Sequence, residues 1–183
     1  MEEKKQFFTM ERLVLISLFS ALIIAGTFLR IPLPPIPITL QTFFVYLAIL
    51  SLGPVTAFLS VLVYLFLGLI GLPIFTTGGG FAAFAGPTGG FLIGMLPAAF
   101  FGGLIAFCKK ESSTIFNIIA LVVATLIIYA FGTFYFSYSL NKTISESLVL
   151  CCYPFLIGDA VKIISAVLLA VSFRPRIQER LNR

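Results

Sequence analysis

The segment Pro154-Phe155-Leu156-Ile157-Gly158-Asp159-Ala160-Val161-Lys162 sets an acid and a base three residues apart, between the apolar runs LVLCCY and IISAVLLAV. A carboxylate accepts hydrogen bonds and an ammonium donates them, so the two can grip a ligand that carries both functions. The i, i+3 spacing puts both side chains on one helical face. Burying either ion within an apolar span costs about 2.5–3.5 kcal/mol on insertion scales, so the pair must face a bundle interior or a wet cavity. Two readings follow: an architectural ion pair that only neutralises itself, or a ligand site in low dielectric. Pro154 and Gly158 are expected to open or kink the helix here, leaving free backbone N–H groups near Asp159.

Other reactive groups are scarce. The chain has no His, and Cys108, Cys151 and Cys152 lack metal-ligand spacing, so they read as soft apolar packing. No G-x-x-x-x-G-K-[ST] motif is present, so ATP hydrolysis would have to come from other subunits. A membrane enzyme would have one intramembrane carboxylate and one lysine to work with, a thin basis for proton relay. The sequence therefore predicts no catalytic residue, no metal and no cofactor.

The stretch TTGGGFAAFAGPTGG (Thr76–Gly90) is Gly-rich and uncharged, and it lacks the lysine of a phosphate-binding loop. Gly78, Gly79 and Gly80 permit unusual backbone angles and close approach to a ligand. Phe75, Phe81, Phe84 and Phe91 are candidate walls for a flat or bicyclic apolar body; the alternative is a loop that contacts nothing. Two stripes of small residues recur at helical spacing, Ser17, Ala21 and Ala25, and Gly90, Gly94, Ala98 and Gly102. Such stripes let helices approach closely, either inside the bundle or against an external membrane partner.

The elements that hold these residues are membrane spans. Of 183 residues, 60% are hydrophobic and 10% charged, against roughly 45–50% and about 25% in soluble domains. The mean hydropathy is +1.12. The sequence predicts an all-α integral membrane protein, one bundle over residues 1–183 with no separate soluble domain. Spans are expected over about 12–30, 39–52, 55–72, 91–108, 115–136 and 148–173, with IPLPPIP an extended loop and Gly53-Pro54 a tight break. Lys4 and Lys5 precede an apolar core as in a signal peptide, but no small-x-small cleavage site closes it.

Net charge is +5, and the cations sit at the ends of apolar runs, which speaks for topology rather than nucleic acid. With the N-terminus inside, six spans place nine cations inside: Lys4, Lys5, Arg12, Lys109, Lys110, Arg174, Arg176, Arg180 and Arg183. Two, Arg30 and Lys142, fall outside, and Lys162 lies within a span. That asymmetry fits the positive-inside rule, whereas five spans would put the arginines of the tail outside. Both termini are thus expected to be cytoplasmic, with Asp159 and Lys162 in the outer half of the last span.

In order along the chain stand PPIPITLQTFFV (Pro34–Val45), LGLIGLPIF (Leu67–Phe75), GPTGGFLIG (Gly86–Gly94), Tyr129-x-x-Gly132 and PFLIGDAVK. Together, from about Met10 to Arg174, they resemble the BioY family, the biotin-specific S components of energy-coupling-factor transporters. The resemblance implies a six-helix subunit of a prokaryotic cytoplasmic membrane. It would capture biotin from outside and dock on a transmembrane coupling protein with two ATPase subunits. Ala21-x-x-x-Ala25 resembles the alanine motif through which S components meet that partner, so Ser17, Ala21 and Ala25 are the implied partner interface. Asp159 and Lys162 match the acidic and basic ligand positions of the family. Ile157 stands where Pro is common, and Phe91 where Tyr is common.

Biotin carries a ureido ring with two N–H donors and one carbonyl, a thioether ring and a carboxylate-tipped chain. Asp159 is expected to accept from the ureido N–H, and Lys162 to donate to the ureido oxygen or the carboxylate. Thr39, Gln41 and Thr88 are secondary polar candidates, and Tyr129 a cap for the pocket. Gly79, Phe75, Phe81 and Phe91 would complete its walls. Capture is expected to be followed by closure of the Gly-rich loop and handover to the energising module. The rival reading is a self-sufficient secondary transporter or facilitator, although the interruptions at Gly53-Pro54 and Pro154 do not match as an internal repeat.

Overall fold

The computed structural model describes residues 9–108 and 113–181. Lys4, Lys5, Lys109, Lys110 and Arg183 lie outside the described residues. Helix α1 (Met10–Phe28) opens on Thr9, whose side chain accepts from the Arg12 N–H. A small antiparallel hairpin follows, β1 (Arg30–Ile31) paired with β2 (Ile38–Thr39), and the Pro-rich segment expected to be extended forms its loop. Helix α2 (Gln41–Leu52) and helix α3 (Pro54–Leu69) meet at Gly53, whose φ of 81° lets the chain reverse before Pro54 opens the next helix.

The Gly-rich stretch folds into turns and the short α4 (Phe81–Ala85). Helix α5 (Gly89–Ala106) and helix α6 (Thr114–Leu140) follow, and Asn141 in the left-handed region stops α6. The segment read as one span over 148–173 is two helices. Thr143 and Glu146 form a capping box that starts α7 (Ile144–Cys151). Pro154 cannot continue that helix, so a tight 3₁₀ turn over Tyr153–Phe155 re-aims the chain into α8 (Leu156–Leu181).

Helix α2 occupies the centre, flanked by α1, α3, α5 and α8. It has Val45, Tyr46, Ala48, Ile49 and Leu50 fully buried. At 12 residues, α2 is shorter than the roughly 20 needed to cross a bilayer unaided, and α3 has 16. Protein rather than lipid surrounds most of α2. By contrast α1, α5, α6 and the α7–α8 segment are long and apolar enough to span. Their outward faces carry Leu126, Phe134, Ile164 and Leu168, all exposed as lipid-facing residues are.

The two small-residue stripes part company. Gly90, Gly94, Ala98 and Gly102 are buried against α6: a Cβ on Gly94 would come 2.9 Å from that of Phe131. Internal packing accounts for that stripe. Ser17, Ala21 and Ala25 instead face away from the bundle, and the Ser17 hydroxyl turns back onto the Leu13 carbonyl.

Candidate ligand-binding site

The β1–β2 hairpin, α2, α5, α6 and the start of α8 converge on one open cavity, with about 630 Å³ of empty space counted out to its mouth. Because α8 restarts at Leu156, Asp159 falls in its first turn, where the helix dipole favours a carboxylate. One turn later Lys162 faces the same cavity. Gly158 does not open the helix, contrary to expectation; it is an ordinary member of the first turn of α8, with open space where a Cβ would sit.

Lys162 Nζ lies 2.8 Å from Asp159 Oδ1 and donates to Thr42 Oγ1 at 3.0 Å. Tyr129 donates its hydroxyl proton to Asp159 Oδ2 at 2.5 Å. Asp159 and Lys162 are 6% and 8% exposed, so the pair is desolvated except toward the cavity. Each carboxylate oxygen has a second lone-pair direction, and the ammonium a third proton. The pair therefore compensates its own charge and still retains both acceptor and donor capacity for a ligand.

Seven of the residues expected in the site line this cavity: Thr39, Gln41, Thr88, Phe91, Tyr129, Asp159 and Lys162. Gln41 Nε2 sits 3.0 Å from Tyr64 Oη and 3.1 Å from Met95 Sδ. Phe91 seats its ring over Gly132, where a Cβ would come within 2.3 Å of it. Thr88 is buried, and its hydroxyl has no hydrogen-bond partner among the described residues.

Four expected wall residues, Phe75, Phe84, Gly79 and Phe81, are elsewhere. Phe75 is a core residue: its ring fills the space above Gly68 and meets Tyr64 and Phe84 edge-on, each 5.3 Å away. Gly79 is demanded by packing, because a Cβ there would lie 2.2 Å from the Leu72 carbonyl oxygen. Phe81 is 75% exposed on the outer surface of α4. From the first part of the Gly-rich stretch only Thr76 reaches the cavity, and Arg30 donates to its carbonyl at 2.6 Å, tying hairpin to loop.

Sequence reasoning missed Thr42, Tyr46 and Thr125. Thr125 spends its one proton on the Leu121 carbonyl at 2.7 Å, so Tyr46 is the donor in the 2.7 Å contact between their hydroxyls. The available signal was spacing: Thr42 and Tyr46, like Thr125 and Tyr129, stand at i, i+4 on otherwise apolar helices and so line one face.

The BioY family profile matches residues 1–179. The chain belongs to the BioY family. The biotin transporter BioY of Thermotoga maritima is 38% identical over 175 residues, covering 93% of this chain and all of the relative. That of Rhodobacter capsulatus is 39% identical over 183 residues, covering 91% and 96%. The fold matches the 2.1 Å crystal structure of the S-component for biotin from an ECF-type ABC transporter with a TM-score of 0.82 at 32% identity, covering 90% of this chain and 91% of that one. BioY proteins are transporter subunits rather than enzymes, and this chain is a multi-pass protein of the cell membrane. Ile157, expected above as a departure from the family pattern, is 81% exposed and does not line the cavity. The departure leaves the acid–base pair untouched.

Proposed function

We propose that this chain captures biotin for an energy-coupling-factor uptake system, with Asp159 and Lys162 holding the ureido ring. The observation that carries this reading is the arrangement Tyr129–Asp159–Lys162–Thr42 on the cavity wall. It leaves an acceptor for a ureido N–H beside a donor for the ureido oxygen. Phe91, Leu92 and Ile128 supply apolar surface for the fused rings. A site built on buried hydrogen bonds rejects ligands that cannot satisfy them. Desthiobiotin keeps the ureido group and tests the ring contacts, whereas thiamine lacks that group altogether. Calorimetric titration of the purified subunit should give saturable binding of biotin, weaker binding of desthiobiotin and none of thiamine. Absence of biotin binding, or equal binding of thiamine, would refute the assignment.

The chain is read as six spans with both termini cytoplasmic and the cavity opening outside. Arg174 and Gln178 of α8 reach the Ala106 and Ser51 carbonyls, which groups the tail with the ends of α5 and α2. Arg30 sits at the opposite end, by the cavity mouth. This grouping supports the positive-inside assignment. Labelling of single cysteines at 30 and 180 with an impermeant maleimide on intact cells should modify the first alone.

The energising partner is read as a transmembrane coupling protein with two ATPase subunits, docked on α1. What supports this is the outward stripe of Ser17, Ala21 and Ala25, a face on which another helix can approach closely.

A further inference from the structure

Cys151 and Cys152 pack into an apolar pocket, and within it they form a polar cluster. Cys151 ends α7, Cys152 leads into the 3₁₀ turn, and both are buried. Thr133 of α6 is buried beside them, its Oγ1 3.1 Å from Cys152 Sγ and 3.7 Å from Cys151 Sγ. The two thiols are also hydrogen-bonded to each other. Ile36, Phe136 and Phe155 enclose the group, and Ile36 and Phe155 also line the ligand cavity. The dithiol therefore stands directly behind the cavity wall. It also occupies the joint that aims α8. The Cys152 N–H donates to the Leu148 carbonyl, and the Cys152 carbonyl accepts from the Phe155 N–H, each at 3.0 Å. Asp159 follows in the first turn of α8, so a twist at the Cys151–Cys152 peptide is passed on to the carboxylate.

We infer that Cys151 and Cys152 are a modification site, a dithiol that a hydroperoxide closes into a vicinal disulfide, which weakens ligand capture. Both side chains are almost wholly enclosed, so the oxidant must be small and uncharged, which selects a hydroperoxide over a bulky disulfide. One thiol takes an oxygen as the peroxide O–O bond breaks, giving a sulfenic acid and a first water. The neighbouring sulfur then attacks that sulfur; the S–S bond forms, the S–O bond breaks, and hydroxide leaves with the second thiol proton as water. Two electrons pass from the sulfurs to the peroxide. Consecutive Cα atoms stand about 3.8 Å apart, short of the roughly 4.4–6.8 Å that a disulfide prefers. Closing the ring must therefore twist the linking peptide, disturb the turn and move Asp159. Such a strained bond is easily reduced again, which makes it a switch rather than a staple.

The test uses the subunit carrying Cys108→Ser, so that the pair holds its only thiols. Hydrogen peroxide should lower the intact mass by two hydrogens, and dithiothreitol should restore it. The oxidised subunit should bind biotin at least about tenfold more weakly, the worth of one hydrogen bond to a charged group. It should also melt at a lower temperature, a readout that needs no ligand, and dithiothreitol should reverse both changes. Cys151→Ser cannot close the ring, so after the same treatment its biotin affinity should stay within about threefold of the untreated value. Oxygen addition without loss of two hydrogens, a disulfide that leaves affinity and melting unchanged, or an equal loss of affinity in Cys151→Ser would overturn the assignment. If the untreated subunit binds no biotin, the biotin reading fails, and the mass and the melting temperature still decide this one. The measurements on Cys108→Ser stand even where Cys151→Ser does not fold.

Discussion

Tyr129 on α6 donates to Oδ2 of Asp159 on α8 at 2.5 Å, while Lys162 takes Oδ1. The carboxylate is thus held from both sides, which fixes the direction of its remaining lone pairs. Tyr129→Phe removes one charge-assisted bond and frees the carboxylate to turn. Biotin affinity should fall roughly tenfold or more. Asp159→Asn and Lys162→Met should lose more, at least about a hundredfold, because each leaves a buried partner uncompensated. Calorimetry on the three purified variants measures this, and wild-type affinity in Asp159→Asn and Lys162→Met would remove both from the site.

Phe91 reaches its place because Gly132 has no side chain: a Cβ there would stand 2.3 Å from the ring. Gly132→Ala must push the ring toward the cavity or part α5 from α6. Overpacking of this kind costs about 1–3 kcal/mol, so both the melting temperature and biotin affinity should drop. Gly158→Ala is the control. No atom of the described residues lies within 4 Å of a Cβ there, and the position is helical. It should leave binding unchanged and hold or raise the melting temperature, since alanine favours helix over glycine by about 1 kcal/mol.

Hydropathy made the helices legible because lipid selects long apolar runs, and Asp159 and Lys162 stood out as ions within one. What the sequence concealed depends on side-chain direction. Phe75 and Phe81 are alike in composition, yet one packs into the core over Gly68 and the other is on the surface. The intervening turns, with positive φ at Gly78 and Gly80, decide which way each points. Conversely, Thr42 and Tyr46 look like isolated polar residues until α2 is seen at the centre of the bundle, where one face of it meets the cavity. The break at Pro154 was readable from the missing N–H of proline; the restart of the helix before Gly158 was not.

Docking through the outward stripe on α1, as proposed, makes capture separable from uptake. Ser17, Ala21 and Ala25 are exposed and take no part in the cavity. Ala21→Leu and Ala25→Leu should therefore bind biotin as wild type does in detergent. In cells that carry the energising subunits, both should cut biotin accumulation at least about tenfold, because a leucine holds apart helices that small residues bring close. Undiminished uptake in the double variant would place the docking surface elsewhere.

Arg174 is buried near the other end of α8. Its guanidinium donates to Asn117 Oδ1 at 3.1 Å and to the Ala106 carbonyl at 2.9 Å, and it lies 3.9 Å from the centre of the Phe107 ring. These contacts join the helix that bears Asp159 and Lys162 to the ends of α5 and α6. Arg174→Met keeps much of the apolar stem but leaves the Asn117 amide oxygen and the Ala106 carbonyl without this donor. The loss should be about 2–4 kcal/mol, since unsatisfied buried acceptors cost more than their bonds contribute. Arg174→Lys should recover only part of it, because an ammonium cannot present two donors in a planar fork or stack on Phe107 in the same way. Thermal unfolding in detergent, with and without biotin, measures both variants. Biotin should still raise the melting temperature of Arg174→Met, because the cavity lies at the opposite end of α8; loss of that shift would mean that the Arg174 contacts also set the position of Asp159.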